Sequence, residues 1–399
     1  MITVEEAWER IAAEIEPLPA ETVARREAMD RILASELAAT VDVPAHDVSA
    51  MDGYVLGGGA KAGDERRVTG TIAAGDAPGF VLATDAAARI MTGAPVPGGA
   101  WGVVPVEQTD DGDERVVLAE TPKPGAHIRR RGEILRRGAP ILAAGRRLTP
   151  AVLSLAATHG YAELPVRRRP RVATLATGNE VVAPDRTPGP GQLRDSHTDF
   201  LLAAGRQLGL DFTPLGIATD DVESLRDHLA RGLDYDVLLV SGGVSMGAYD
   251  LVEPVFAELG CRPLFDAVSL QPGKPLVFAR HRGGWVVGLP GNPASVMVCY
   301  WLFVRPLLRV LQGFDDGFWR GAQSGRLDAP LRAGGPRDRF LAAEIALVDG
   351  EPIVHPVAPK GSHDQTAYAR GRALVRIRLG TEAAQAGDPC EFLPLADWP

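Results

Sequence analysis

The sequence predicts a multidomain α/β protein built around a doubly wound, mainly parallel sheet. At 399 residues the chain is long enough for about two to three domains of roughly 150 residues each. Between residues 171 and 313, segments with strand pattern alternate with segments with helix pattern, as in parallel sheets covered by helices. Short alternating segments separated by Gly, Pro and Asp precede and follow this part, and they predict additional β domains.

The N-terminal segment predicts two helices. Val4, Trp8 and Ile11 recur at helical spacing. Two prolines then interrupt the pattern, and a second helix is expected from about Ala20 to Ala39.

A separate β domain is expected between two helical pieces. From Val41 to Arg137 the pattern changes to short alternating segments, which predicts an inserted, mostly β domain. Helix pattern returns from Thr149 to His159, where Thr149 suits a helix cap, Pro150 its first turn and Gly160 its end.

The central part and the C-terminal part each predict a defined set of elements. The strands expected in the α/β part are Arg171–Thr177, Asp211–Ile217, Asp236–Ser241 and Leu276–Arg280. The helices expected with them are Asp199–Leu208, Val222–Arg231, Asp250–Glu258 and Pro293–Gln312. After Gly313, short strands such as Glu351–Pro356 and Ala373–Leu379 predict a small C-terminal β domain of barrel type.

These patterns divide the chain into four predicted domains. They are an α/β domain (1–18 and 166–316), a small helical linker domain (19–42 and 137–165), the inserted β domain (43–136) and the C-terminal β domain (317–399).

Composition excludes several classes of function. The formal net charge is −9, and the arginine clusters, such as Arg129–Arg131, lack interleaved aromatic residues, so no nucleic-acid partner is expected. The three cysteines are far apart and match neither a disulfide framework nor a zinc site, which favours a reducing cytoplasm. We see no leader pattern, and the longest apolar run, Ala294–Val304, is too short to span a membrane.

Unusual residues concentrate in the turns that follow predicted strands. Ligands of open α/β sheets bind beyond the carboxyl ends of the strands, so these turns predict the position of the site. The turns are Gly178–Glu180, Thr219–Asp221, Gly242–Asp250, Gln271–Pro275 and Pro290–Ser295.

The residue types in these turns suit phosphate-like anions and a hard metal ion. Glu180, Asp220 and Asp250 carry oxygen ligands of the kind that Mg²⁺ prefers. Glycines let the backbone approach a ligand, while Lys274 and a helix that begins at Asn292 favour an anion. The alternative, that the aspartates only cap the helices that follow them, stays open for each residue taken singly.

Six motifs, in order along nearly the whole chain, carry a family resemblance. They are Ser49–Tyr54, Ile90–Pro97, Ile128–Glu133, Ser241–Asp250, Pro272–Pro275 and Pro290–Pro293. This set resembles the signatures of the molybdopterin molybdenumtransferase (MoeA) family, the bacterial relatives of the gephyrin E domain.

The resemblance implies a fold, an assembly and an activity. Members are elongated homodimers of four-domain chains, with a molybdopterin-binding α/β domain that is completed by the inserted β domain of the partner subunit. The implied activity is the Mg²⁺-dependent insertion of molybdate into adenylated molybdopterin, with release of AMP. A molybdopterin adenylyltransferase is the implied protein partner.

The resemblance also implies roles for residues at matching positions. Asp52 and Thr92 would come from the partner subunit. The implied catalytic residues are Asp52, Thr92, Glu180, Asp220, Asp250 and Lys274, of which Glu180, Asp220 and Asp250 would bind the metal. The implied substrate-binding residues are Gly178, Gly242, Gly243, Ser245, Gly273, Pro290, Gly291, Asn292, Ser295 and Ser362.

Four positions depart from the family pattern. Ala267, Gln271 and Ala342 stand where the family commonly has a cation, and Ile134 stands where it has an acidic residue. Neighbouring arginines such as Arg337 or Arg339 could offset the lost charge. Because of these departures, a second function of a different class stays open beside the enzymatic one. The chain could be a catalytically weakened gephyrin-like paralogue that acts as a dimeric scaffold or holds the cofactor.

Overall fold

The computed structural model describes residues 1–243 and 252–395, and the chain forms two compact units. One unit comprises Met1–Glu21 and Arg167–Pro399, and the other comprises Thr22–Val166. The chain begins with helix α1 (Val4–Ala12), which Thr3 caps in a reciprocal capping box with Glu6.

The Thr22–Val166 unit is mostly β structure. Its strands, including one that begins just before it, are β1 (Ala20–Ala24), β2 (Leu37–Ala38), β3 (Val48–Ser49), β4 (Gly53–Leu56), β5 (Glu65–Ile72), β6 (Ala86–Ile90), β7 (Gly102–Pro105), β8 (Arg115–Val117), β9 (Ile128–Arg129), β10 (Pro140–Leu142) and β11 (Glu163–Arg167). A five-stranded sheet in the order β7-β4-β6-β5-β8 forms its centre. Helix α2 (Pro150–Thr158) confirms the predicted helix, with Thr149 as its cap.

The helix predicted over Ala20–Ala39 is wrong. These residues form β1, a short 3-10 turn (Arg25–Glu27) and β2. Asp30 has a left-handed backbone, with φ of 62°, which interrupts any helix at this point. Leu33 is buried in a core with Leu164, so contacts distant in sequence override the helix-favouring composition of this stretch.

The second part of the chain contains the predicted doubly wound sheet. Its strands are β12 (Val172–Thr177), β13 (Val181–Val182), β14 (Leu193–Arg194), β15 (Thr213–Ala218), β16 (Val237–Ser241), β17 (Arg262–Ala267), β18 (Leu270–Gln271), β19 (Pro275–His281) and β20 (Gly284–Leu289). Its helices are α3 (His197–Gln207), α4 (Val222–Gly232), α5 (Val252–Glu258), α6 (Pro293–Cys299) and α7 (Arg305–Leu311), and a π-helical segment (Tyr300–Val304) joins the last two. All four predicted strands and all four predicted helices are confirmed within a few residues, although the first two residues of the predicted helix Asp250–Glu258 lie outside the described residues. Strands β13, β14, β17, β18 and β20 were not predicted.

The main sheet has six strands in the order β15-β12-β16-β20-β19-β17. Strands β15, β12, β16 and β20 are parallel, and β19 runs antiparallel to both of its neighbours. Alternate residues of one strand enter different cores: Leu239 packs with α1, α3 and α6, while Val240 packs with α4 and α5. This burial on both faces explains why the strands are continuously apolar.

The helix Pro293–Leu311 is long and apolar enough to cross a membrane by length and composition. However, 72% of its most apolar window is buried inside the protein, where Val298, Phe303 and Leu307 pack in the core beneath the sheet. The helix therefore serves as a core helix of the α/β part.

The C-terminal part forms the predicted barrel. Its elements are β21 (Gln323–Leu327), β22 (Asp338–Val348), β23 (Glu351–Pro356), α8 (Gln365–Arg370), β24 (Ala373–Ile377) and β25 (Pro389–Pro394). The order β22-β23-β21-β25-β24 closes on itself because β22 also pairs with β24. The short strand β18 joins this sheet by pairing with the start of β22.

Gly205 provides a test of the packing between α3 and the sheet. A Cβ at this position would lie 2.7 Å from the ring of Phe212. We expect Gly205→Ala to lower the free energy of unfolding by about 1–2 kcal/mol, because overpacking typically costs more than the helix propensity of alanine gains. Urea denaturation followed by tryptophan fluorescence measures the change. Gly283→Ala, where no atom lies within 4 Å of the added methyl group, is the control and should be neutral. Equal stability of the two variants would contradict this account.

Candidate functional site

The carboxyl ends of four parallel strands stop in one row. Thr177 of β12 pairs with Ala218 of β15, and Ser241 of β16 pairs with Ala176 and with Leu289 of β20. The turns that follow these strands are therefore neighbours in space, as the sequence predicted.

The fifth predicted turn, Gln271–Pro275, reaches the same edge by a different route. It follows β18, which pairs with the C-terminal barrel instead of the main sheet, and it leads into the antiparallel strand β19. Val277 of β19 pairs with Gly288 of β20, so the start of β19 lies beside the end of β20. The turn lies at the predicted edge, but the strand that precedes it belongs to the C-terminal barrel and not to the main sheet.

A large cleft lies above the row of strand ends. We call this cavity of about 1060 Å³ the acidic cleft, because among the described residues three carboxylates, those of Glu180, Asp195 and Asp220, line it together with one guanidinium, that of Arg194. The predicted substrate-binding residues that line it are Gly178, Gly242, Gly243, Pro290, Gly291, Asn292 and Ser295.

A reciprocal pair of hydrogen bonds joins two of the turns. The backbone N–H of Asn179 donates to Asp220 Oδ2, and the backbone N–H of Asp220 donates to Asn179 Oδ1, both at 3.1 Å. Gly178 has a left-handed backbone with φ of 136°, and a Cβ there would lie 2.7 Å from Glu180 Oε2. The turns thus place both carboxylates at the same cleft with a defined orientation of Asp220.

The capping alternative applies to Asp221 and not to Asp220. Asp221 is the cap of α4, and its Oδ1 accepts the Ser224 N–H at 2.8 Å. This backbone hydrogen bond lowers the pKa of the Asp221 carboxyl. Asp220 has no such contact with the helix, which leaves its carboxylate available to a ligand of the cleft.

The proposed metal ligands are only partly described. Glu180 and Asp220 line the acidic cleft, while Asp250 lies outside the described residues, as does the predicted substrate-binding residue Ser245. Within residues 1–243 and 252–395, no group of three or more His, Cys, Asp or Glu side chains is arranged to hold a metal ion.

A second cavity adjoins the acidic cleft. We call this cavity of about 570 Å³ the basic pocket, because Lys274, Arg332, Arg337 and Arg339 line it. The cavities share Pro275, Asn292 and Ser295, and no Asp or Glu of residues 1–243 and 252–395 lines the basic pocket. The predicted residues Gly273, Lys274 and Ser362 belong to this pocket, whereas Arg332 was not predicted.

Close packing fixes the turn that carries Lys274. Gly273 has φ of 115°, and a Cβ there would lie 2.7 Å from Cys299 Sγ. Cys299 is fully buried, which raises the pKa of its thiol. The turn therefore rests on the core, and a side chain at position 273 would displace it.

The four departures from the family pattern have different surroundings. Gln271 pairs with Arg339 across the β18–β22 ladder and lines the basic pocket. Ala342 is fully buried in the core, while Ala267 lies at the end of the edge strand β17. Ile134 is 69% exposed, in the other unit.

Asp52 and Thr92 lie together within the Thr22–Val166 unit. The Thr92 N–H donates to Asp52 Oδ1 at 2.6 Å, and both residues are exposed. This hydrogen bond lowers the pKa of the Asp52 carboxyl, so the carboxylate is held charged at the surface.

Three family models match the chain in order. They are the MoeA N-terminal region (domain I and II) over residues 2–160, the probable molybdopterin binding domain over residues 173–310, and the MoeA C-terminal region (domain IV) over residues 324–395. Molybdopterin molybdenumtransferase 2 of Mycobacterium tuberculosis is 37% identical over 378 residues, which cover 92% of this chain and 93% of the relative. The chain belongs to the molybdopterin molybdenumtransferase family.

Other members agree with this assignment. The Molybdopterin molybdenumtransferase of Synechococcus elongatus is 40% identical over 76% of this chain and 78% of the relative. The crystal structure of a molybdopterin biosynthesis MoeA protein from Pyrococcus horikosii matches with a TM-score of 0.86 at 28% identity, and it covers 100% of both chains. The predicted fold, and an enzyme family of molybdenum cofactor biosynthesis, are confirmed.

His197 at the rim of the acidic cleft makes stability depend on pH. Burial of this imidazole lowers its pKa from 6.5, although the nearby charge of Asp195 opposes the shift. As the pH is lowered through 6.5, the unfolded chain therefore binds more protons at this residue than the folded chain does. The free energy of unfolding consequently decreases as the pH is lowered. When the pH is lowered from 7.5 to 5.5, we expect the free energy of unfolding to decrease less in His197→Gln than in the parent. The difference should correspond to the titration of a single histidine.

Chemical denaturation at several pH values tests this dependence. His46→Gln removes an exposed imidazole in the other unit and serves as the control. If His197→Gln and His46→Gln follow the same pH profile, the buried imidazole does not carry the dependence.

Proposed function

We propose that this protein inserts molybdate into adenylated molybdopterin and releases AMP and molybdenum cofactor. The observation that carries the proposal is the pairing of an acidic cleft with a basic pocket that share Pro275, Asn292 and Ser295. The acidic cleft would hold a metal ion bound to the phosphate of the substrate, and the basic pocket would hold an oxyanion next to it. The names of the curated relatives support this activity over a scaffold function.

Glu180 and Asp220 fit the chemistry of a magnesium site. Mg²⁺ is usually held in proteins by one or two carboxylates together with substrate phosphates and water. Asp220 Oδ2 accepts a hydrogen bond from the Asn179 N–H, so the other oxygen, Oδ1, would be the one that binds the metal ion. Bound Mg²⁺ would neutralise phosphate charge, with Glu180, Asp220 and the sequence-assigned Asp250 as its holders. Gly242 and Gly243 would allow the pterin phosphate to approach the backbone.

The basic pocket suits molybdate, which is a tetrahedral dianion. Lys274 supplies a compact positive charge, and the hydroxyl groups of Ser295 and Ser362 can donate hydrogen bonds to its oxygens. Ser295 is only 3% exposed and lies where the two cavities meet. It would therefore contact the oxyanion close to the pterin.

We propose further that the enzyme is a cytoplasmic homodimer in which each site takes Asp52 and Thr92 from the partner subunit. The surface position of both residues, and the hydrogen bond that orients the Asp52 carboxylate, support this role. The adenylated substrate must come from an enzyme that transfers an adenylyl group to molybdopterin, which makes an adenylyltransferase the expected functional partner.

Molybdate-dependent release of AMP from adenylated molybdopterin tests the activity. We expect release to require Mg²⁺, and Asp220→Asn to lower kcat by about 100-fold or more because it removes charge at the metal while it keeps an oxygen for the Asn179 N–H. Asp227→Asn, on the exposed face of α4, is the control and should retain the parent rate. Binding of the adenylated pterin without molybdate-dependent release would favour the scaffold or cofactor-holding alternative.

Mixed dimers test the shared site. Asp52→Ala and Asp220→Asn should each give an inactive homodimer. A heterodimer of the two variants contains one intact site if Asp52 acts across the interface, so we expect about half of the activity of the parent dimer. If Asp52 acts within its own subunit, neither site of the heterodimer is intact, and the mixture stays inactive.

A further inference from the structure

The basic pocket holds cations that no carboxylate of the described part of the chain neutralises. Elsewhere in the barrel, Arg326 pairs with Glu351, and Arg370 pairs with Glu344. Within the described residues, Lys274, Arg332, Arg337 and Arg339 form no such ion pair, although all four line one cavity. Four unpaired positive charges at one cavity favour an anionic ligand.

Arg337 and Arg339 differ from ordinary surface arginines because both are half-buried. Removal of a guanidinium from water is unfavourable unless it gains a partner. Arg337 donates one hydrogen bond to the backbone carbonyl of Leu270 at 3.3 Å, which leaves most of its donors free for a ligand.

The acidic residue between these two arginines in sequence forms no ion pair with them. Asp338 lies on the opposite face of β22, where its carboxylate accepts hydrogen bonds from Arg376 and from the backbone N–H of Leu379. Arg376 is almost fully buried, and it also pairs with Glu5 of α1. The alternation of β22 therefore directs the acid into an internal ion pair and both arginines into the basic pocket.

The ladder between β18 and β22 places Arg339 opposite Gln271. Paired residues of neighbouring strands project from the same face, and both of these residues line the basic pocket. A positive charge supplied from position 339 thus reaches the same part of the pocket as one supplied from position 271.

We propose that Arg339, assisted by Arg337, binds the oxyanion in this chain and supplies the charge that Gln271 lacks. This inference rests on the proposed function, and it assigns the specificity for a tetrahedral dianion to the start of β22. The guanidinium groups would donate paired hydrogen bonds to the oxyanion beside Lys274 and Ser295.

Direct binding of molybdate to the full-length protein tests the assignment by isothermal titration calorimetry. We expect Arg339→Ala to weaken molybdate binding by about 10- to 100-fold, as for the loss of one charge-assisted hydrogen bond, and Arg337→Ala to weaken it less. Arg339→Lys should keep most of the affinity. Arg326→Ala, in which the lost arginine pairs with Glu351 away from the pocket, is the control and should bind like the parent.

A charge-relocation variant separates this role from a structural one. Gln271→Lys in the Arg339→Ala background should recover at least about tenfold in affinity, because it returns a cation to the same part of the pocket. Failure of this rescue, with the double variant folded by circular dichroism, would overturn the inference. So would unchanged molybdate affinity in Arg339→Ala, or absence of molybdate binding to the parent protein.

A first further measurement distinguishes binding of molybdate by Arg339 from binding of the nucleotide phosphate. A second separates this inference from the proposed activity. If Arg339→Ala weakens the binding of AMP but leaves molybdate binding unchanged, the arginine binds the nucleotide phosphate and the assignment is wrong. If the parent binds molybdate in an Arg339-dependent way but releases no AMP, the proposed activity fails and the assignment of the oxyanion site stands.

Discussion

The candidate site depends on the register of the main sheet. Because β12, β15, β16 and β20 end in one row, four turns that are far apart in sequence open into one cleft. A shift of a parallel strand by one residue would exchange the two faces that it buries, and both faces are apolar cores here. The same burial that stabilises the sheet therefore holds the carboxylates and glycines of the cleft at a common edge.

The charge of the site is divided between two cavities. Three carboxylates and one guanidinium, that of Arg194, line the acidic cleft among the described residues, whereas the basic pocket is lined by cations, and the buried hydroxyl of Ser295 lies at both. The difference matters because a metal ion and an oxyanion need opposite surroundings, and the described residues of the basic pocket carry charge of one sign. The helix that carries Ser295 packs in the core through Phe303 and Leu307, and this packing positions the boundary between the cavities.

Local pattern was sufficient for four strands and four helices of the α/β part and for the position of the cleft. The continuous apolar strands and the helix ends can be recognised from residues that are close in sequence. Because ligands of open α/β sheets bind beyond the carboxyl ends of the strands, Glu180 and Asp220 were then expected at that edge of the sheet. The helix expected over Ala20–Ala39 failed because Leu33 and its neighbours are buried by residues more than a hundred positions later. Strand β20 was missed because a short apolar segment carries little periodicity, and β17 was missed because its polar residues and Pro263 obscure a strand pattern.

The basic pocket shows most clearly what local pattern cannot provide. Position 271 looked like a loss of charge, because its neighbour across the ladder is contributed by a strand nearly seventy residues later. Which residues of Arg337–Asp338–Arg339 face the pocket depends on the buried pair between Asp338 and Arg376, and that pair is completed by Glu5 at the other end of the chain. A motif compared position by position records only that a lysine is absent. The folded chain determines whether another cation occupies the space. Here the pairing of β18 with β22 brings Arg339 to it, an arginine that forms no ion pair with the described residues.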